Sequence, residues 1–148
     1  DFPSSAIKMV EDHHVDTKGL QIKQEEKTFF WSGKYHNNMN TRDTLDTQLN
    51  VLENFDPTVP EQFQKSEFLM LGNLMPSVQK KVLDQMKRRP KLVVLDTMNF
   101  WIDDHQNNLS SVIENVDIIF MDENEIKKYQ NNIPIGKRLF RYYGQIDY

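Results

Sequence analysis

The sequence predicts an α/β protein in which a small antiparallel β-sheet precedes a doubly wound, mainly parallel sheet. In residues 20–52, apolar and polar residues alternate, which is typical of a sheet with one solvated face. After residue 56, the strands become short continuous apolar runs, and each is followed by an amphipathic helix. This second pattern is typical of parallel strands that are covered on both faces. The two patterns meet at the segment 56–60, which contains two prolines.

The composition excludes several classes of protein. The chain has 148 residues, a net charge of −4 and no cysteine. Without cysteine there is no disulfide scaffold, thiolate zinc site or cysteine nucleophile, and we expect a cytoplasmic protein. The negative charge argues against sequence-independent binding to nucleic acid or to an anionic membrane. No apolar run approaches the roughly 20 residues that span a bilayer.

The first elements are a short helix and two strands. Apolar residues recur at helical spacing in residues 4–14, after Pro3. Strands are predicted at residues 20–23 and 28–35, on either side of a polar turn. In the second strand, one face carries Phe29, Trp31, Gly33 and Tyr35.

A threonine-rich third strand is predicted at residues 41–52. One face carries the apolar residues Leu45, Leu49 and Val51. The other face is polar and carries Arg42, Thr44, Asp46, Gln48 and Asn50. So many polar side chains on one face predict that it meets a ligand cleft or a second copy of the chain. The alternative is a face that is simply exposed to solvent.

Three strand-helix units follow, and they predict a parallel sheet with right-handed crossovers. The strands are residues 68–71, 91–95 and 117–121. The helix after the first strand begins near Pro76, the next contains Leu109 and Val116, and the third contains Ile126 and Tyr129. A last helix is predicted from Pro134 to Gly144, before a further strand that begins at residues 145–148.

Polar side chains follow each of the three parallel strands. Asn73 follows the first, Asp96 and Asn99 the second, and Asp122 and Glu125 the third. The carboxyl ends of such strands are where ligands bind, and amide and carboxylate oxygens suit hydroxyl groups and Mg²⁺. The alternative is structural, because Asp and Asn are common helix caps and Asp122 with Glu125 has the spacing of a capping box.

Five segments of the chain together resemble the PfkB (ribokinase-like) family of carbohydrate kinases, and in particular bacterial sugar kinases of unassigned substrate. These segments are DFP at 1–3, VDTKGL at 15–20, TFFWSGKY at 28–35, LVVLDTMNFW at 92–101 and DENE at 122–125. The resemblance covers nearly all of this chain but only the middle of the family's chain. It implies a ribokinase-like fold with a β-sheet lid.

The resemblance also implies a domain organisation and a set of missing segments. Residues 1–19 would belong to the core domain, residues 20–55 to the lid, and residues 56–148 to a partial ribokinase-like core. Family members carry an upstream Gly-Gly segment that binds sugar, and a downstream Asp-Thr-x-Gly-Ala-Gly-Asp motif that supplies the anion hole and the general base. Neither segment occurs here, so we expect a fragment of a longer protein with no catalytic residue of its own.

The roles that the resemblance implies concern the sugar, the nucleotide and a metal ion. Asn73 would contact the sugar, and Asp96 and Asn99 would line the cleft between sugar and nucleotide. Residues 122–125 occupy the family's Asn-x-x-Glu motif, so Asp122 and Glu125 would hold Mg²⁺ through water near the phosphates of ATP. Asp stands where the family has Asn, which adds a negative charge beside the phosphates. In the lid, Trp31 and Arg42 would help to close over the substrate.

Two functions follow from these expectations. The first is part of an ATP-dependent sugar or nucleoside kinase that transfers the γ-phosphate to a substrate hydroxyl. The second is a non-catalytic PfkB-like module that serves as a binding or scaffold element. A homodimer through the lid sheet is compatible with both, and the expected partner of the first is a small sugar or nucleoside rather than nucleic acid or a membrane.

Overall fold

The computed structural model describes residues 3–37, 39 and 41–132. The chain divides into two compact units, residues 1–57 and 58–148. The helix expected between Pro134 and Gly144 and the strand expected at residues 145–148 lie outside the described residues.

The first unit consists of a helix and a β-hairpin. Helix α1 spans Ser4–Asp12, and strands β1 (Phe30–Tyr35) and β2 (Arg42–Gln48) pair in antiparallel fashion. The strand predicted at residues 20–23 is wrong, because this segment forms no ladder and lies in coil before a turn. An alternating sequence becomes a strand only where a partner supplies the backbone hydrogen bonds, and within the described residues β1 pairs along its length with β2 alone.

A β-bulge divides the faces of the hairpin. Ser32 is opposite Asp46 but Gly33 is opposite Thr44, so Leu45 is an extra residue in β2. Arg42 and Thr44 therefore share the face of Trp31, whereas Asp46 and Gln48 lie on the other face. The prediction that the polar residues from Arg42 to Asn50 share one face is wrong, because the extra residue interrupts the two-residue period.

Side-chain contacts agree with these two faces. The Trp31 Nε1–H donates to Thr44 Oγ1 at 3.3 Å, and the Arg42 guanidinium lies 6.0 Å from the centre of the Trp31 ring. On the opposite face, Gln48 Nε2 donates to Asp46 Oδ2. Gly33 is required beside the indole, because a Cβ at this position would lie 2.3 Å from a Trp31 ring carbon.

The second unit contains the strand-helix alternation that the sequence predicts. In chain order its elements are β3 (Phe68–Leu71), α2 (Pro76–Gln85), β4 (Leu92–Asp96), α3 (Asn99–Asp104), α4 (Gln106–Ile113), β5 (Ile118–Phe120) and α5 (Glu123–Asn132). The strands are parallel, in the order β3-β4-β5. The α/β class is thus confirmed. The segment after β4 forms two helices rather than the one predicted, and they divide at His105.

The hydrophobic core of this unit lies on one face of the sheet. Leu71, Val93 and Leu95 point towards the helices and are buried with residues of α3, α4 and α5. Helices α2 and α4 contact each other over this same face. On the opposite face, Phe68 and Met70 are 67% and 65% exposed. Among the described residues, the prediction of a sheet covered on both faces is therefore not met.

The order of the strands also agrees with helices on a single face of the sheet in the described residues. Sheet order β3-β4-β5 follows chain order, whereas a doubly wound sheet reverses direction once and thereby places helices on both faces. The residues that the structure describes contain no such reversal. Within this part of the chain, no helix is long and apolar enough to cross a membrane.

A carboxylate connects the beginnings of β4 and β5. Asp117 Oδ2 accepts a hydrogen bond from the Val93 N–H at 2.8 Å, and the Asp117 N–H donates to the Val93 carbonyl. Asp117 Oδ1 also accepts from Arg89 Nη2 at 2.7 Å. Because Val93 has no exposed surface, its N–H has no access to water and depends on this carboxylate.

We expect Asp117→Ala to lower the free energy of unfolding by about 1–3 kcal/mol, because it leaves the buried Val93 N–H without an acceptor. Asp84→Ala is the matched control, since Asp84 only pairs with Lys80 on an exposed surface of α2 and its loss should cost less than about 0.5 kcal/mol. Urea unfolding of both variants measures the difference. Equal losses would contradict the role given to Asp117.

Candidate functional site

The carboxyl ends of β3, β4 and β5 lie along one edge of the sheet, because the three strands are neighbours and parallel. This edge brings together the segments that carry the predicted site residues. Asn73 follows β3, Asp96 is the last residue of β4 and Asn99 the first of α3, and Asp122 precedes α5. Their side chains nevertheless serve different purposes.

Asn73 connects the loop after β3 to helix α3. Its Oδ1 accepts a hydrogen bond from Trp101 Nε1 at 2.9 Å, and the Trp101 side chain is buried. The indole N–H of a buried tryptophan needs an acceptor, so Asn73 satisfies a structural requirement. The sugar contact that the resemblance implies for Asn73 would use its remaining atoms or a shared oxygen.

Asp96 and Asn99 lie close in sequence but differ in environment. Strand alternation places Asp96 on the face opposite to Val93 and Leu95, away from the core. Burial raises the pKa of the Asp96 carboxyl above its usual range, and a hydrogen bond from the Thr97 N–H offsets part of this effect. Asn99 is half-buried, and its Oδ1 is buried with no hydrogen-bond partner among the described residues.

Asp122 and Glu125 form a capping box at the beginning of α5. Asp122 Oδ1 accepts from the N–H groups of Asn124 and Glu125 at 2.8 and 2.9 Å, and Glu125 Oε2 accepts from the Asp122 N–H at 2.9 Å. The structural alternative considered for these residues therefore accounts for three of their hydrogen bonds. Within the described residues, no group of three or more acidic or histidine side chains could hold a metal ion. Magnesium coordination by Asp122 and Glu125 stays a prediction.

Trp31 and Arg42 contact each other on one face of the hairpin in the first unit. Trp31 is half-buried, packs over Gly33 and donates to Thr44, so it organises its own face of the hairpin. Their role in closing over a substrate stays a prediction.

The structure adds two residues to this edge that the sequence pattern does not single out as ligands. Gln79 of α2 donates through Nε2 to the Gly72 carbonyl at 2.8 Å and to the Asp96 carbonyl at 3.1 Å. It thereby joins the chain just after β3 to the end of β4. Thr97 follows Asp96 and is buried. Gln79 Oε1 and Thr97 Oγ1 have no hydrogen-bond partner in the described part of the chain.

A sequence signal existed for Gln79. It lies three residues after Pro76 and four before Leu83, so helical periodicity places it on the buried stripe of α2. A glutamine at an apolar position is informative because its amide must find partners when buried. Thr97 gave no comparable signal, since a polar residue after a strand is usually exposed.

Chemically, this edge offers hydrogen-bond acceptors. The buried oxygens of Gln79, Thr97 and Asn99 are neutral, and the Asp96 carboxylate lies next to them in sequence. Such a set suits a ligand that donates hydrogen bonds, and it suits an anion poorly. It contains no group that the structure prepares as a nucleophile.

A comparison with models of protein families found no match to the chain. A search of curated proteins likewise found no significant match. The resemblance to PfkB kinases therefore rests on the five segments quoted above.

We expect Asp96→Asn to stabilise the protein at neutral pH, because the raised pKa means that folding disfavours the charged carboxylate. This unfavourable contribution is fully present above the folded pKa. It disappears as the pH falls to the unfolded value of about 3.9. Thermal melts of both proteins between pH 4 and pH 8 measure the difference. The variant should melt at a higher temperature than the parent at neutral pH, and this difference in melting temperature should decrease as the pH falls. A difference that increases instead would contradict the burial argument.

Proposed function

We propose that this chain is part of an ATP-dependent sugar or nucleoside kinase. The observation that supports the proposal most is the edge of the parallel sheet, where buried oxygen acceptors follow β4 and acidic residues follow β5. Parallel α/β sheets bind ligands at this edge. The acceptors suit substrate hydroxyls, and the resemblance in residues 92–101 and 122–125 favours phosphoryl transfer over other reactions on hydroxyl groups.

The proposal divides the edge between substrate and nucleotide. Asn73, Asp96 and Asn99 would face the sugar, and Asp122 and Glu125 would hold the water shell of Mg²⁺ near the phosphates of ATP. Mg²⁺ keeps several waters, so one or two carboxylates are a sufficient protein contribution. A capping box is compatible with this role, because each carboxylate oxygen accepts more than one hydrogen bond.

Such a kinase also needs a general base and donors that stabilise the transferring phosphoryl group. The chain contains no glycine-rich segment of the type that supplies both in PfkB kinases. In the proposed kinase these groups come from sequence outside these 148 residues. A cytoplasmic location belongs to the same proposal, since ATP and free sugars are available there.

The alternative, a binding or scaffold module, is favoured by one observation on the first unit. None of the residues described in the range 3–57 is buried, and several large apolar side chains are exposed there. These include Phe30, Tyr35, Met39 and Leu45. A two-stranded hairpin is marginally stable by itself, so these side chains have reason to pack against something, such as a second copy of the chain.

The 148-residue chain alone should not phosphorylate ribose, fructose, 2-keto-3-deoxygluconate or adenosine with ATP and Mg²⁺. Positioning and charge stabilisation supply most of the rate in phosphoryl transfer, and the motif that provides them is absent here. A coupled assay for ADP release checks this against a blank without sugar. Turnover above the blank would refute the proposal that the general base and the anion hole come from residues outside these 148.

In a longer protein that contains this chain, Glu125→Gln should reduce kcat at least tenfold while sugar affinity changes little. A carboxylate that acts through Mg²⁺ stabilises charge that develops only in the transition state. Glu123→Gln is the matched control, because Glu123 lies on the same turn but pairs with Lys127 on the surface. Kinetics at several Mg²⁺ concentrations measure the effect.

Two other outcomes have different meanings. A higher KM with unchanged kcat would make Glu125 a substrate ligand. A loss of stability of about 0.5–2 kcal/mol with unchanged kinetics would leave it only the capping role and remove it from the site.

A further inference from the structure

Three buried oxygen atoms near the carboxyl end of β4 have no hydrogen-bond partner among the described residues. They are Gln79 Oε1, Thr97 Oγ1 and Asn99 Oδ1. Gln79 and Thr97 are 2% and 4% exposed, so bulk water does not replace the missing partners. A buried acceptor without a donor costs free energy, and folded proteins contain few of them. Three around the end of one strand indicate that a donor from beyond the described residues belongs there.

The three residues lie around the carboxyl end of β4. Gln79 Nε2 donates to the Asp96 carbonyl, Thr97 is the next residue, and Asn99 follows two positions later. The orientation of the Gln79 amide is determined by its contacts, because only the nitrogen can donate to the Gly72 and Asp96 carbonyls. Gln79 Oε1 is therefore a true acceptor.

Rotation of the Thr97 hydroxyl does not satisfy all three atoms. Of the three groups that carry them, the Thr97 hydroxyl is the one whose oxygen bears a hydrogen, and it donates to one acceptor at a time. If it turned towards Gln79, Asn99 Oδ1 would stay without a donor, and the reverse holds equally. With the Asn99 amide in the orientation that the structure gives it, at least one donor must come from elsewhere.

We propose that Gln79, Thr97 and Asn99 bind the hydroxyl groups of a neutral polyhydroxyl ligand, a sugar or the ribose of a nucleoside. The assignment rests on the proposed function and adds Gln79 and Thr97 as specificity-determining residues. Neutral hydroxyls suit the site because neutral acceptors in a buried place give little compensation for a charge. Phe100 adds an apolar surface beside Asn99, since it is 41% exposed and packs edge-on against Trp101.

Binding at these atoms requires a local movement, because they are closed to solvent. Asn99 begins helix α3, and we place this movement at the start of that helix. It has six residues, and its N-cap residue Met98 makes no side-chain capping hydrogen bond. When its first turn moves outwards, Asn99 and Thr97 open to a hydroxyl. Trp101 lies on the same helix and reports this movement through its fluorescence.

The test is Thr97→Val, which removes Oγ1 and keeps a side chain of similar shape. Ser111→Ala is the matched control, because it removes a hydroxyl of α4 that is bonded to the Asn108 carbonyl. D-ribose, D-fructose and adenosine are titrated separately into the full chain without nucleotide, by calorimetry. The same titrations are followed by fluorescence in the parent and in a Trp101→Phe variant, so that the difference between them gives the Trp101 emission.

We expect at least one of the three compounds to bind and to change the Trp101 emission. Thr97→Val should weaken that binding about three- to tenfold, as for the loss of one neutral hydrogen bond. Ser111→Ala should leave the affinity unchanged. The melting temperature of ligand-free Thr97→Val should equal or exceed that of the parent, because the lost hydroxyl has no partner in the ligand-free state. A comparison of the affinities for ribose and fructose with the affinity for adenosine shows whether the hydroxyls come from a free sugar or from a nucleoside.

The proposal is overturned if none of the three compounds binds, or if Thr97→Val binds them as tightly as the parent protein. It is also overturned if Thr97→Val melts below Ser111→Ala, since Oγ1 would then have a structural partner. The titrations contain no nucleotide and therefore test this site separately from catalysis. If a compound binds but a separate assay of the longer protein shows no phosphoryl transfer to it, the result counts against the kinase proposal and not against this site. If the longer protein does transfer a phosphoryl group but Thr97→Val leaves the affinity for the compound unchanged, the result counts against this site and not against the kinase proposal.

Discussion

The burial of one face of β4 is the constraint on which the second unit depends. Val93 and Leu95 have no exposed surface, and their strand lies between β3 and β5. Two such side chains require a covering layer on that face, which the helices supply, and β4 pairs with a parallel strand on each side. Strand alternation then turns Asp96 away from the core, so the same constraint places a carboxylate at the carboxyl edge of the sheet.

That edge is held together by side chains after the strand ladders end. Gln79 joins the Gly72 and Asp96 carbonyls, Asn73 accepts from Trp101, and Asp122 and Glu125 cap α5. The residues that could meet a ligand are thus largely residues that also stabilise the loops around it.

The two units differ in how much of their own apolar surface they bury. The second has a contiguous core, and among the described residues the opposite face of its sheet stays apolar and partly exposed. The first has a hairpin organised by Trp31, Gly33 and Thr44, and none of its described residues is buried. A bulge at Leu45 also divides its polar residues between two faces, which lowers the polarity of each.

The sequence by itself determined the alternation of strands and helices after residue 56, because apolar runs and helical periodicity are local signals. It also determined which residues lie at the carboxyl edge, since the end of a strand is visible in the pattern. Local signals did not reveal the bulge at Leu45 or the absence of a strand at residues 20–23, because strand pairing and register depend on a distant partner. The tertiary structure alone decided that α2 and α4 cover one face of the sheet. It also decided that Gln79 and Thr97 join Asn99 at the end of β4, since a polar atom loses its hydrogen-bond partners only when packing removes them from water.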